Sequence, residues 1–303
     1  MLNDRPEDNQ RMRLCSYRDG RVGERLAVID GDWALPAGDL LPDGPRTMAE
    51  LIGRGDRALA ALRAATDPER VRRDGRPLTD LDLLAPLPRP GKVVAIGRNY
   101  RDHAAEEGLE PPPAPLIFAK FASSVVGPGA DVRWDPSLTN QVDYEAELAV
   151  VVGRRARRVA AGDALEYVFG YTCLNDVSAR DLQFGDGQWT RGKSLDTFCP
   201  MGPLVVTVDE LGDASGLAIR CLVNGEERQS ARTSDLFYGV AEIVSHCSQA
   251  FTLEPGDVIA TGTPSGVGAF RKPPVWLADG DEVVVQIERI GRLVNRFRTE
   301  QAS

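Results

Sequence analysis

Residues 142–152, Val-Asp-Tyr-Glu-Ala-Glu-Leu-Ala-Val-Val-Val, constrain this chain more than any other stretch. They alternate as a strand does. Val142, Tyr144, Ala146 and Leu148 point one way, and Asp143, Glu145 and Glu147 the other. The apolar tail from Ala149 to Val152 is typical of a buried strand. Two carboxylates at alternate positions on one strand face lie about 7 Å apart at their Cβ atoms. On a buried face both stay ionised only if a cation joins them; otherwise they share a proton. The stretch therefore asks for a metal. The plain alternative is an edge strand with a solvated acidic face.

Composition narrows the choice. Among 303 residues there are two histidines, His103 and His246. A histidine-rich site is excluded, and any metal must be held mostly by oxygen. The five cysteines are odd in number and form no C-x-x-C. That pattern suits a reduced, cytoplasmic protein better than a disulfide framework or a zinc cluster. The net charge of −9 argues against nucleic acid or an anionic membrane as partner. There is no 18-residue apolar run and no signal peptide. An anionic substrate would need local positive charge from a lysine, an arginine or a metal.

Along the chain, residues 1–11 are polar and expected to be disordered. Short strands follow at 13–17 and 25–29, then helical spacing over 47–65 with a break at Gly53–Gly55. The proline-rich connector at 85–90 suggests a boundary, with a small N-terminal α+β domain over 1–88 and a larger domain over 89–303. Strands are expected at 92–97, 116–120, 170–174, 203–208, 217–223, 257–261 and 282–289. A helical turn is expected near 163–169, and the best amphipathic helix over 236–251. Asn99 is placed to cap a short helix that ends before Gly108. Many strands, few long helices and no regular βαβ alternation favour a β-rich α+β fold.

Each motif has two readings. Residues 187–194, Gly-Gln-Trp-Thr-Arg-Gly-Lys-Ser, match a P-loop letter for letter. No strand is expected before them, and prolines follow, so nucleotide binding is disfavoured and Lys193 is a lone cation. Asp176 is either a helix N-cap or a third carboxylate ligand beside the Glu-x-Glu strand. Three carboxylates without histidine suit Mg²⁺ or Mn²⁺. His103 and Glu106 share one face of the short helix, either as a solvated connector or as a mobile lid carrying a general-base pair. The loop from Thr261 to Gly268 offers hydroxyls and backbone N–H groups to a substrate carboxylate, or simply joins two strands. His246 reads as structural.

Taken together, these segments resemble the fumarylacetoacetate hydrolase family. The resemblance rests on residues 96–106 (Ile-Gly-Arg-Asn-Tyr-Arg-Asp-His-Ala-Ala-Glu), 118–120, 143–148, 175–183 (Asn-Asp-Val-Ser-Ala-Arg-Asp-Leu-Gln), 192–198 and 253–268. They keep the family's order and cover roughly residues 90–290. The resemblance implies a β-roll catalytic domain, commonly in a homodimer, with one divalent cation on Glu145, Glu147 and Asp176. It implies a small-molecule 2-oxo acid substrate chelated through its oxo and carboxylate oxygens. Gln183, Lys193 and Thr263 match substrate-holding positions, and His103 with Glu106 matches the catalytic lid pair. Lys193 would also assist the chemistry. Residues 188–198 are similar to the branch acting on 2,4-diketo acids. Phe121 departs from the proline many members carry there. The expected activity is thus hydrolysis of a C–C bond in a 2,4-diketo acid. Decarboxylation or isomerisation of a 2-oxo dicarboxylic acid such as oxaloacetate is the alternative, and a metal-stabilised binding module is the non-enzymatic rival.

Overall fold

The computed structural model describes residues 12–20, 22–106, 108, 110 and 112–300. The disorder expected of residues 1–11 lies outside them. The fold is a strand-rich α+β fold built on two large sheets and a two-stranded ribbon, as the pattern of many strands and few long helices indicated. In the larger sheet the spatial order begins with the short strand Arg76–Pro77, followed by Trp33–Pro36, Gly23–Asp30 and Arg13–Asp19. It continues through Cys199–Thr207, Val168–Asn175, Ala146–Val152, Val258–Ala260, Val93–Gly97 and Leu116–Lys120. The first strand pairs with Cys199–Thr207, so the sheet runs on through the chain on both sides of residue 88. The smaller sheet joins Glu226–Arg232, Ala218–Val223, Glu282–Ile287, Gly291–Thr299 and Asp131–Trp134.

Residues 142–152 lie at the centre, and every one of them is buried. The alternation therefore does not separate a wet face from a dry one. Val142, Tyr144, Leu148 and Val150 join one apolar cluster while Ala149 and Val151 join another on the opposite face. The strand also breaks. Val142–Asp143 pairs with Ser178–Ala179 as a separate ribbon, and the main ladder starts only at Ala146.

Elsewhere, local chemistry sets the boundaries. The helical pattern at 47–65 splits at Gly55, whose φ of 71° ends Met48–Arg54 before Asp56–Ala65 begins. The expected helix over 236–251 runs from Val240 to Ala250, because the Glu242 carboxylate turns back to accept from the Gly239 N–H at 2.8 Å. The expected helical turn near residue 163 is the 3₁₀ segment Ala161–Tyr167. Asn99 does not cap the short helix. Its side chain donates to the carbonyls of Thr261 and Tyr238 and accepts from the Tyr238 N–H.

The central strands pass so closely that Gly170 has no room for a side chain. A Cβ there would lie 2.3 Å from the Val206 carbonyl oxygen and 3.0 Å from the Thr207 Cα. Gly170→Ala is expected to lower the unfolding free energy by about 1–3 kcal/mol through overpacking, measured by urea denaturation. An unchanged midpoint would contradict this packing.

Candidate active site

Strand register builds a cluster of carboxylates. Ala146 pairs with Asn175 and Glu147 with Leu174. Beyond that register the ladder opens. Asn175 Oδ1 accepts from the Glu145 N–H at 3.0 Å, and the Glu145 carbonyl accepts from the Asp176 N–H at 2.9 Å. Asp176 is thereby held beside Glu145. One carboxylate oxygen from each of Glu145, Glu147 and Asp176 lies within 4.8 Å of the others, and all three residues are buried. Asp176 is not a helix cap, because the next helix begins at Arg180 with Ala179 as its N-cap.

Three buried cations surround the cluster. Lys193 Nζ lies 2.7 Å from Glu145 Oε2 and 2.9 Å from Asp176 Oδ2. Lys120 Nζ lies 2.6 Å from Asp176 Oδ1 and also donates to the carbonyls of Val177 and Lys193. Arg180 reaches Asp143 at 2.8 Å, Glu145 at 2.7 Å and Gln183 Oε1 at 3.0 Å. Asp143 also accepts from the N–H groups of Gly268 and Ala269, so it clamps Arg180 to that loop. Lys120, Arg180 and Asp143 received no role from sequence. Their signal was there: Lys120 ends an apolar strand, and Arg180 follows Asp176 closely in the chain, at the first position of the next helix.

Charge is unevenly settled among these groups. Burial acts to raise the Glu145 carboxyl, but Lys193 and Arg180 outweigh it and hold the group at about 2. Burial likewise acts against the Lys193 ammonium, yet Asp176 and Glu145 raise it above its ordinary value. Glu147 accepts from the Gly262 N–H at 2.8 Å, and among the described residues no lysine or arginine is paired with it. Burial first, then Asp176 and Glu145, push its carboxyl well above the ordinary value. Four buried carboxylates, those of Asp143, Glu145, Glu147 and Asp176, thus meet three buried cations. A divalent cation on the triad would turn that one-charge deficit into a one-charge surplus, which suits an anionic ligand. The donor set is all oxygen, so the residues present fit a hard divalent cation.

Over the cluster lies the helix Arg101–Glu106. His103 is 5% exposed, which excludes the solvated-connector reading. Its Nδ1 lies 3.3 Å from Glu106 Oε2, and the Gly266 N–H donates to Glu106 Oε1 at 3.1 Å. Ser265 Oγ donates to Asp102 at 2.7 Å. The helix is thus docked on the loop at 265–266. A cavity of about 70 Å³ lies between, and His103, Glu145, Glu147, Gln183, Lys193 and Thr263 all line it. Thr263 Oγ1 donates to the Ala146 carbonyl at 3.0 Å and accepts from Gln229 Nε2 at 2.8 Å, tying its loop to the carboxylate strand. The P-loop spelling builds no P-loop. Thr190–Lys193 is a single helical turn after the helix Arg180–Asp186, and Lys193 spends its ammonium on carboxylates.

Comparison with known proteins places this geometry. The model of the fumarylacetoacetate (FAA) hydrolase C-terminal family matches residues 92–298. The bovine mitochondrial oxaloacetate tautomerase FAHD2A is 45% identical over 295 residues, 96% of this chain and 93% of its own length. Oxaloacetate tautomerase YisK of Bacillus subtilis is 42% identical over 261 residues, covering 84% of this chain and 87% of its own. The solved structure of the fumarylacetoacetate hydrolase from Exiguobacterium antarcticum superposes with a TM-score of 0.83 at 39% identity, covering 95% of this chain and all of that one. The chain belongs to the fumarylacetoacetate hydrolase family, and it is an enzyme. The expectation of C–C bond hydrolysis is overturned, because the curated relatives at this identity are oxaloacetate tautomerases. The physical reason is that the quoted motifs build a buried carboxylate cluster and its partner cations, an arrangement that does not by itself single out one reaction.

Glu147 sets a pH test. In chelator the folded chain keeps a proton on Glu147 that the unfolded chain loses at the ordinary value of 4.5. The folded state then binds more protons, so stability falls as pH rises through the raised pKa. Urea midpoints in EDTA are expected to fall from about pH 5 to about pH 8, and Glu147→Gln should flatten that slope. Equal slopes in both proteins would contradict the assignment.

Proposed function

We propose that this chain is a divalent-metal-dependent tautomerase of a 2-oxo dicarboxylic acid of the oxaloacetate kind. The observation that carries the reading is the buried carboxylate triad with Lys193 wedged against it, in a protein whose relatives are tautomerases over nine-tenths of its length. Oxygen-only donors on Glu145, Glu147 and Asp176 favour Mg²⁺ or Mn²⁺. When bound, such a cation supplies Lewis acidity to the oxo and carboxylate oxygens of the substrate.

The chain's own residues do the rest. Lys193, held against the triad, donates to the developing enolate oxygen. Gln183, whose Oε1 accepts from Arg180, turns its amide N–H groups to the substrate carboxylate, and Thr263, tied to Ala146 and Gln229, positions the loop that borders it. Glu106 fixes His103 through Nδ1, so proton exchange with substrate C3 falls to Nε2. In the enol-to-keto direction C3 gains a proton from His103 and the enol hydroxyl gives one up to solvent. No water is consumed and no C–C bond breaks. The docked helix serves this reaction by shielding the enolate from water. We also infer a homodimer, supported by the family resemblance, with residues 89–303 as the catalytic unit of each copy and 1–88 as the smaller unit. The family match over 92–298 supports that division.

The test follows the loss of enol absorbance of oxaloacetate by stopped flow with Mg²⁺ or Mn²⁺ added. His103→Ala is expected to lower kcat by about 100-fold or more, with metal content unchanged. Glu106→Gln should act in the same direction. Release of carbon dioxide as fast as the enol disappears would replace tautomerisation with decarboxylation.

A further inference from the structure

Arg98 lines the same cavity, at the end of the strand Val93–Gly97. Its φ is 55°, in the left-handed region. An arginine gains nothing locally from that conformation, since its Cβ crowds the following carbonyl, so its surroundings must impose it. The surroundings are specific. Gly97 has no side chain, and a Cβ there would lie 2.6 Å from Cζ3 of Trp189. The indole therefore packs directly on the backbone beside Arg98. Trp189 meets Phe118 edge to face, with ring centroids 5.2 Å apart and planes at 71°.

These two rings form a ledge with a cation at each end. Lys193 Nζ sits 5.3 Å from the Phe118 centroid, and Arg98 Cζ sits 5.4 Å from the Trp189 centroid. All four residues line the cavity. Lys193 marks the triad end, where a 2-oxo acid group is chelated. A dicarboxylic substrate carries its second carboxylate away from that end, toward the half-buried rim where Arg98 stands, and a partly desolvated carboxylate there is stabilised by a cation of its own. A guanidinium over an indole face is attracted to it, and its planar fork of N–H groups matches a carboxylate two at a time.

Building on the tautomerase reading, we propose that Arg98 binds the second carboxylate of the substrate and sets the preference for dicarboxylic over monocarboxylic 2-oxo acids. Trp189 and the bare backbone of Gly97 act as positioning elements for it.

The experiment compares the metal-loaded wild type with Arg98→Asn and Arg98→Lys. Asparagine accepts the left-handed conformation, so the turn survives the loss of charge. Steady-state kinetics are read with oxaloacetate. Calorimetry reads the affinities of oxaloacetate and of 2-oxobutyrate, which has a methyl group where oxaloacetate has its second carboxylate. Arg98→Asn is expected to raise KM for oxaloacetate about 10- to 100-fold, the range for a charge-assisted pair, with kcat within about threefold. Its affinity for 2-oxobutyrate should stay within about threefold of wild type, and Arg98→Lys should recover part of the loss. An unchanged KM overturns the proposal. So does an equal loss of affinity for both acids, since that marks general damage to the site. If the wild type fails to accelerate the tautomerisation, the tautomerase reading falls by itself. The calorimetric preference for oxaloacetate, and its disappearance in Arg98→Asn, then still decides the role of Arg98.

Discussion

Lys193 holding Glu145 and Asp176 together in the dry centre of the sheet is the interaction on which the rest of the site depends. Each buried charge costs several kcal/mol to desolvate, and only close pairing offsets it. Lys120 on Asp176 and Arg180 on Glu145 and Asp143 complete that pairing. The cations come from three separate segments, so the cluster assembles only when the strand Leu116–Lys120, the helix at Arg180 and the turn at Lys193 are all in place. Glu147 stays outside these pairs, next to the backbone of Gly262. Without metal its carboxyl holds a proton, which a divalent cation on the triad would displace.

This arrangement accounts for how one family hosts several reactions. On the proposed reading, chelating a 2-oxo acid and stabilising its enolate would draw on the triad and Lys193, whatever comes afterwards. Hydrolysis adds an attacking water, decarboxylation adds a departing carboxylate, and tautomerisation adds only a proton at C3. In the proposed mechanism the helix bearing His103, docked through Asp102 and Glu106 on the loop at 265–266, would therefore matter as much for the water it excludes as for the proton it handles.

Much of this is legible in residues 142–152, where the spacing of the carboxylates by itself asks for a cation. Asp176 is harder. Its place beside Glu145 comes from the register of Ala146 against Asn175, a non-local pairing that spacing along the chain cannot reveal. For His103, sequence leaves both lid and connector open, because only the docking of Glu106 on Gly266 buries the ring. Lys120, Arg180 and Asp143 go unassigned, since ion pairs between distant segments leave no periodic trace. The P-loop spelling at 187–194 shows the converse: letters without the strand before them carry no mechanism. The reaction itself reads toward hydrolysis because the motifs report the carboxylate cluster and its cations, which do not single out a reaction.

The most direct measurement is the metal content of the chain by native mass spectrometry after reconstitution with Mn²⁺. One ion per chain is expected in the wild type, with occupancy in Glu147→Gln reduced about tenfold or more, as the loss of one of three carboxylate ligands implies. Full occupancy in Glu147→Gln would contradict the triad as the seat of the cation, and with it the charge balance from which the site's chemistry is drawn.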